Sequence, residues 1–502
     1  MFNLVVRILL IATIVLGILF RFYHLDRKIY WHDEVYTIFR AGGFTREEID
    51  RQLFTNRFIS VLELRQFLDL KPKSTALDTV ASLAREDPQH PPLYFLLTRY
   101  WMGWFGNSVF VLRLLPAVLS VISLPAIYYL SLSLAQGNHL VGLLSASLLA
   151  LSPVDILFAQ TARQYSALTL ATIISAYFLT KGWQTGKWPH WLSFALAVAL
   201  GFYIHPFFAL SLIAFGLFIL LVRTNRFIAF SLSSIAGLVI YIPWIAVMLS
   251  NLSRVFATTD WATIDVSPLY LVKLWILSFT CMFFDLDLGF DHPLTYILRL
   301  PFLIAILVAI LLVVKKTPRP IHSFLICSAF VPFLLLATAD LTLGGKRSAV
   351  TRYLIGCFPF VQILVAHLIA FWWQKRKTIG ICSYTLLLCT SLASVMVSAN
   401  AETWWNKDLS YNNARIIKTV NQAERPILIS DLGNDFTNTG DLIGMSVGLK
   451  QDIALFLVAK DNPSLNPLLA TPNNTATLFV FRPSEQLLSL LKQTSLSYEL
   501  LY

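Results

Sequence analysis

Charge is what this chain has least of. Asp, Glu, Lys and Arg together make up 13% of its 502 residues, where a soluble globular domain carries roughly a quarter. A hydrophobic content of 56% and a mean hydropathy of +0.66 accompany the deficit. These values exclude an ordinary soluble enzyme and predict a polytopic membrane protein. Cysteine is scarce as well: Cys281, Cys327, Cys357, Cys382 and Cys389 are an odd set without CxxC spacing. Neither a disulfide framework nor a zinc site is indicated, and all five read as small buried hydrophobes. The formal charge of +11 does not point to nucleic acid, because the basic residues lie in short clusters between apolar runs and form no stripe with interleaved aromatics.

Long apolar runs are plentiful. Eleven segments have spanning length: 4–22, 109–134, 139–157, 164–181, 190–204, 206–222, 227–248, 296–314, 321–338, 353–373 and 379–398. The first lacks a small-residue cleavage signature and reads as a retained helix. With the N-terminus in the cytoplasm, the inner connections carry ten Lys or Arg and no Asp or Glu, as the positive-inside rule requires. The odd count then sends the C-terminal segment outside. A further apolar stretch, 266–284, has acidic flanks and reads as an interfacial helix within an outer loop, 249–295.

The first outer loop, 26–91, is too long for a simple connector. Positions 26–87 hold ten basic and eleven acidic residues, and segments 45–52 and 60–70 have the mixed pattern of short amphipathic helices. The expected organisation is a transmembrane catalytic domain over 1–400, including both outer loops, and a small extracytoplasmic α/β domain over 401–502. In the latter, 425–430, 453–459 and 475–481 look like strands, and 412–421 and 484–493 like helices.

In so apolar a chain the polar groups near a membrane face are few enough to weigh one by one. Asp33 and Glu34, within Trp31-His32-Asp33-Glu34, are a candidate catalytic pair, with Asp33 able to take a proton from an acceptor; solvated loop carboxylates capping a helix are the alternative. Prolines at 88, 91 and 92 fix the backbone around His90, ahead of Tyr94, although a loop ending before a helix has the same signature. Arg163 with Tyr165, and Lys346, Arg347 and Arg352 with Tyr353, put basic residues on the face where the inside rule disfavours them. Guanidinium forks suit phosphate oxygens, so these are candidate phosphate-binding groups, weighed equally against pairing with loop acids or headgroups. His32 and His205 complete the candidate pocket. No spacing forms a metal motif, while the adjacent carboxylates leave use of a divalent ion open.

The order of these pieces resembles the membrane glycosyltransferases of family 39, the group of protein O-mannosyltransferases and aminoarabinose transferases with the GT-C fold. Carrying the resemblance are Trp31 to Glu34, the block His90 to Phe95, Arg113 to Pro116, Ala159 to Ser166, Tyr203 to His205, and Arg352 to Leu354. It implies a mostly α fold with about eleven transmembrane helices. It also implies inverting transfer of a hexosyl or pentosyl group from a polyprenyl-monophosphate donor to a glycan, lipid or protein acceptor at the extracytoplasmic face of an inner membrane. Asp33 is then the catalytic base. One departure stands out: Thr161 occupies a position where bacterial members often have Glu, so no role of that glutamate carries over. The alternatives are a multispan lipid or sugar transporter or flippase, and a noncatalytic membrane scaffold.

Overall fold

The computed structural model describes residues 4–435, 437–470, 476–494 and 501. The chain forms two compact units. One comprises Met1–Leu25, Asp87–Tyr94 and Arg113–Asn400; the other comprises Asp26–Glu86, Phe95–Leu112 and Ala401–Tyr502.

The first unit is helical throughout. The eleven apolar segments read from the sequence are mainly helical, with 139–157 and 296–314 each divided between two helices, as expected where hydrocarbon offers no other partner for backbone N–H and C=O groups. Among the described residues, six helices are long and apolar enough to cross a membrane, or up to eight if each of two bent pairs counts as one span. Two local features account for part of the difference from eleven. Trp188–Ile204 and Phe208–Val222 are apolar but have only 17 and 15 residues. His139–Ala150 and Pro153–Ala159 are bent by 58°, the second helix starting at Pro153 with Ser152 as its N-cap. The stretch 266–284 holds the helix Pro268–Thr280, and the preceding helical residues Leu252–Thr263 meet it at a 95° bend.

Charge inside this unit is neutralised by local geometry. Arg21, fully buried near the end of Leu4–Phe22, donates to the carbonyls of Gly17, Leu149 and Ala150 and to Ser120 Oγ. Gly17 permits this, since a Cβ there would lie 2.2 Å from the Ala150 carbonyl oxygen. Arg113, also fully buried, donates to the Leu25 carbonyl at 2.8 Å. Asp285 and Arg299 form another buried pair at 3.7 Å. Cys281, Cys327 and Cys357 are buried, but Cys382 and Cys389 are exposed. Both lie on the helix Lys377–Asn400, so the expectation of five buried cysteines is corrected: apolar character tells of a membrane, not of a protein interior.

The second unit is a four-stranded sheet with helices. Its strands are β1 (Arg57–Ser60), β2 (Pro426–Ser430), β3 (Ala454–Leu457) and β4 (Thr477–Val480), in the order β1-β3-β2-β4. β2 runs parallel to both β3 and β4, whereas β1 is antiparallel to β3, with Phe58 opposite Phe456. The three expected strands of the C-terminal segment are thus present, although Thr475 lies outside the described residues. The expected helices appear as Asn413–Gln422 and Glu485–Lys492. β1 was not expected. It draws the loop 26–86 into one unit with 401–502, whereas the sequence reading assigned that loop to the transmembrane domain. The loop itself carries Arg46–Leu53, Val61–Arg65 and Ala76–Glu86 as short helices.

Candidate functional site

The acidic pair opens the helix His32–Gly42. Trp31 is its N-cap, and the Trp31 N–H donates to Glu34 Oε2 at 3.1 Å. The same oxygen meets Lys407 Nζ at 2.6 Å, and both side chains are 0% exposed. Lys407 also lies over the Trp31 ring, 5.7 Å from its centroid. Glu34 is therefore held in a sealed ion pair, while Asp33, one residue earlier in the same first turn, is partly exposed. A carboxylate there is favoured by the helix dipole.

His32 is fixed from below. Its backbone N–H donates to Ser410 Oγ at 3.0 Å, and that hydroxyl donates to the buried Asp441 carboxylate at 2.6 Å. Asn413 and Arg482 bind Asp441 as well. The His32 ring packs on Tyr36 at 4.6 Å, and Gly440 makes room, since a Cβ there would meet His32 Nδ1 at 2.6 Å. Farther along, Glu86 accepts from Arg40 at 3.1 Å and from the backbone of Arg46 and Glu47. Burial pushes the Asp50 carboxyl up from its ordinary value, opposed by its hydrogen bond from Thr439.

The other candidates lie in the helical unit. Gln160, at the C-cap of Pro153–Ala159, donates to the carbonyls of Phe20 and Tyr23 at 2.8 Å each. A tight turn follows, with Arg163 N–H on Thr161 O at 2.7 Å. It sets Arg163 Nη2 3.4 Å from His90 Nε2 and the Gln164 side-chain amide nitrogen 3.2 Å from His90 Nδ1. His90 thus meets a guanidinium at one ring nitrogen and an amide at the other, with the Asp87 carboxylate 4.0 Å from Nε2. Trp244 Nε1 donates to the Pro88 carbonyl at 3.0 Å and steadies the proline segment.

His205 follows Trp188–Ile204 and stands edge-on to His90, ring centres 6.2 Å apart. Its Nδ1 accepts the Phe207 N–H at 3.1 Å. Its pKa is held well below the ordinary value of 6.5, first by burial and then by His90, Arg163 and Arg352. Phe207 contacts Tyr353 at 4.4 Å, and Arg352 lies 5.2 Å over Trp261 and 5.8 Å over Tyr353. Lys346 is 5.6 Å over the same Trp261. Arg347 is bound differently, to Asp340 at 3.2 Å and to the Gly344 carbonyl at 2.8 Å. Tyr165 is buried against Phe158, with Arg163 5.9 Å over its ring, and Tyr94 is buried on Leu93–Phe105. Thr161 is buried, its hydroxyl returned to the Leu157 carbonyl at 2.8 Å.

The helical unit thus gathers His90, Arg163, His205, Tyr353 and Arg352, and the second unit holds Asp33, Glu34 and His32. Sequence reasoning missed Lys407 and Trp261, and it gave Gln164 no role beyond its place in the block Ala159 to Ser166. Lys407 sits in an ordinary soluble-looking segment far from Glu34 in sequence, and nothing local marks it. Among the described residues no three His, Cys, Asp or Glu gather as a metal site.

Residues 89–251 match the family model described as dolichyl-phosphate-mannose-protein mannosyltransferase. That segment contains His90, Arg113, Arg163 and His205. Among solved structures, ArnT from Cupriavidus metallidurans bound to undecaprenyl phosphate aligns with a TM-score of 0.52 at 13% identity, over 88% of this chain and 75% of that one. The fold is that of the GT-C glycosyltransferases. The apo form of the same ArnT aligns at 0.50 and 12% identity, over 88% of this chain and 76% of that one. An Archaeoglobus fulgidus oligosaccharyltransferase aligns at 0.50 and 12%, over 87% of this chain and 63% of that one. No curated protein matches the chain. The resemblance read from the motifs holds, and the protein is a multi-pass membrane protein of GT-C fold.

Proposed function

We propose that this chain moves a sugar from a polyprenyl-monophosphate donor to an acceptor at the extracytoplasmic face, with inversion. The acceptor hydroxyl or amine attacks the anomeric carbon and loses its proton to Asp33. The bond from that carbon to the phosphate oxygen breaks, and polyprenyl phosphate leaves with the extra negative charge. Glu34, sealed against Lys407, braces the turn that carries Asp33. Arg163, Arg352 and Lys346 hold the donor phosphate, and stabilise the leaving group more than the bound donor because charge grows there as the bond breaks. Arg347, bound to Asp340, braces their loop. Tyr94, Tyr165, Tyr353, His90 and His205 line the sugar pocket, and His32 flanks Asp33.

The observation that carries this reading is the gathering of cationic side chains around His205, whose ring lies 6.2 Å from His90, itself 3.4 Å from Arg163, with Arg352 and Lys346 over Trp261 nearby. Such a cluster draws an anion, and a lipid-linked phosphate meets it at the membrane surface. The test uses purified protein in proteoliposomes with a radiolabelled polyprenyl-phosphate sugar and extracted envelope lipids and proteins as acceptors. Label passes to an acceptor with the natural protein and not with Asp33→Asn. Equal transfer by the variant removes Asp33 as base, and flux of label across the bilayer without a new glycosidic bond marks a transporter.

A further inference from the structure

The second unit contains a cavity that the transfer reaction does not use. Its volume is about 570 Å³, within the usual span of small-molecule sites, roughly 300–1,000 Å³. Four cations line it, Arg27, Lys28, Lys418 and Lys450, against two acids, Asp26 and Glu402. Lys28 is buried at 4% exposure. Lys418 and Lys450 are exposed, and neither is in an ion pair among the described residues. Apolar walls come from Ile29, Ile417 and Val447.

The frame is built rather than incidental. The Ile29 N–H donates to the Glu402 carbonyl at 2.8 Å, tying the segment 26–30 to the start of 401–502. Asn421 locks the far side, donating to the Gly448 carbonyl at 2.9 Å and accepting from the Lys450 N–H at 3.0 Å. Gly444 and Gly448 let that wall close on its neighbours: a Cβ at 444 would meet the Tyr30 carbonyl oxygen at 2.8 Å, and one at 448 the Ile417 Cγ2 at 3.1 Å.

We propose that this cavity binds the phosphoryl group of an anionic ligand. Converging ammonium and guanidinium groups suit phosphate oxygens, the two carboxylates offer acceptors for neighbouring hydroxyls, and the apolar walls cover a carbon skeleton. A phospholipid headgroup and a soluble phosphate monoester share this chemistry.

The test uses the full chain in nanodiscs. One arm titrates inorganic phosphate and glycerol 3-phosphate by calorimetry. The other compares phosphatidylcholine with and without phosphatidylglycerol and reads retained lipid by native mass spectrometry. The double variant Lys418→Glu/Lys450→Glu is expected to weaken binding by roughly tenfold or more in the arm that reports the ligand, as loss of charge-assisted contacts implies. Lys492→Glu, on another helix, serves as the control and leaves binding intact. Loss in the first arm identifies a soluble ligand, and loss in the second a headgroup. No binding by the natural protein in either arm, or equal binding by the double variant, overturns the proposal. Should the double variant lose its melting transition, Lys418→Gln alone is read in the same way, since that side chain is exposed at a helix surface.

Discussion

Two charged regions handle the same physical problem in opposite ways. Around Glu34 each buried charge has a partner of the other sign: Lys407 on Glu34, Arg482 on Asp441, Arg40 on Glu86. Around His205 gather His90, Arg163 and Arg352, with the Asp87 carboxylate 4.0 Å from His90, and burial first and then those three groups hold the His205 pKa down. The first arrangement makes a rigid turn that is complete in the chain alone. The second is the cationic cluster that the proposed donor phosphate would meet. Rigidity where a proton is to be taken and a net field where charge is to build are the two things displacement at a phosphosugar needs.

The sharpest way to break the contrast is at Asp33. Asp33→Asn is expected to lower kcat by about a hundredfold to ten-thousandfold, the usual range for a lost general base, with an unchanged melting temperature; single-turnover transfer measures it. Lys407→Met attacks the paired region and leaves Glu34 buried alone, which costs about 3–5 kcal/mol. Thermal and denaturant unfolding report the loss. The double variant Glu34→Gln/Lys407→Met recovers most of it, because a neutral pair no longer strands a charge.

In the cationic cluster, Arg163→Met or Arg352→Met is expected to cost about a hundredfold in transfer, on the order of 3 kcal/mol. Donor titrations separate kcat from KM. The smallest effect is on pH. His205 has a depressed folded pKa, so its contribution to stability is present above the unfolded value near 6.5 and is lost as pH falls below it toward the folded pKa. The slope is at most about 1.4 kcal/mol per pH unit for one proton. Melting temperatures between mildly alkaline and acidic buffers show the slope, and His205→Gln flattens it.

Much of the helical unit was legible because a bilayer imposes one rule on backbone and side chain alike, and a run such as 300–316 obeys it without help from distant residues. The expected strands of the C-terminal segment were legible for a similar reason: 426–430 is apolar and bounded by Pro and Asp. β1 was not, since Arg57-Phe-Ile-Ser offers four residues of weak alternation between two helical patterns, and its pairing is decided by Phe456. Glu34 stood out as a charge, but its engagement with Lys407 is a long-range fact that no local pattern encodes. The same holds for Trp261 beneath Arg352 and Lys346. Arg163 and His90 were each singled out by type and position. Their meeting depends on the turn after Gln160, which its amide fixes on the end of the first helix.

The antiparallel match of β1 with β3 sets an order of events during synthesis. Ser60 finds its partner in Ala454, about 400 residues later, which at ~5–20 residues per second is a wait on the order of tens of seconds. Until then the exposed edge of Arg57–Ser60 has no strand to join, and the segment bearing Asp33 lacks Lys407 and Ser410. A chain stopped before those residues would insert its helices and still leave that segment unfinished, so assembly of the acidic turn waits until residues 407 and 410 have been made.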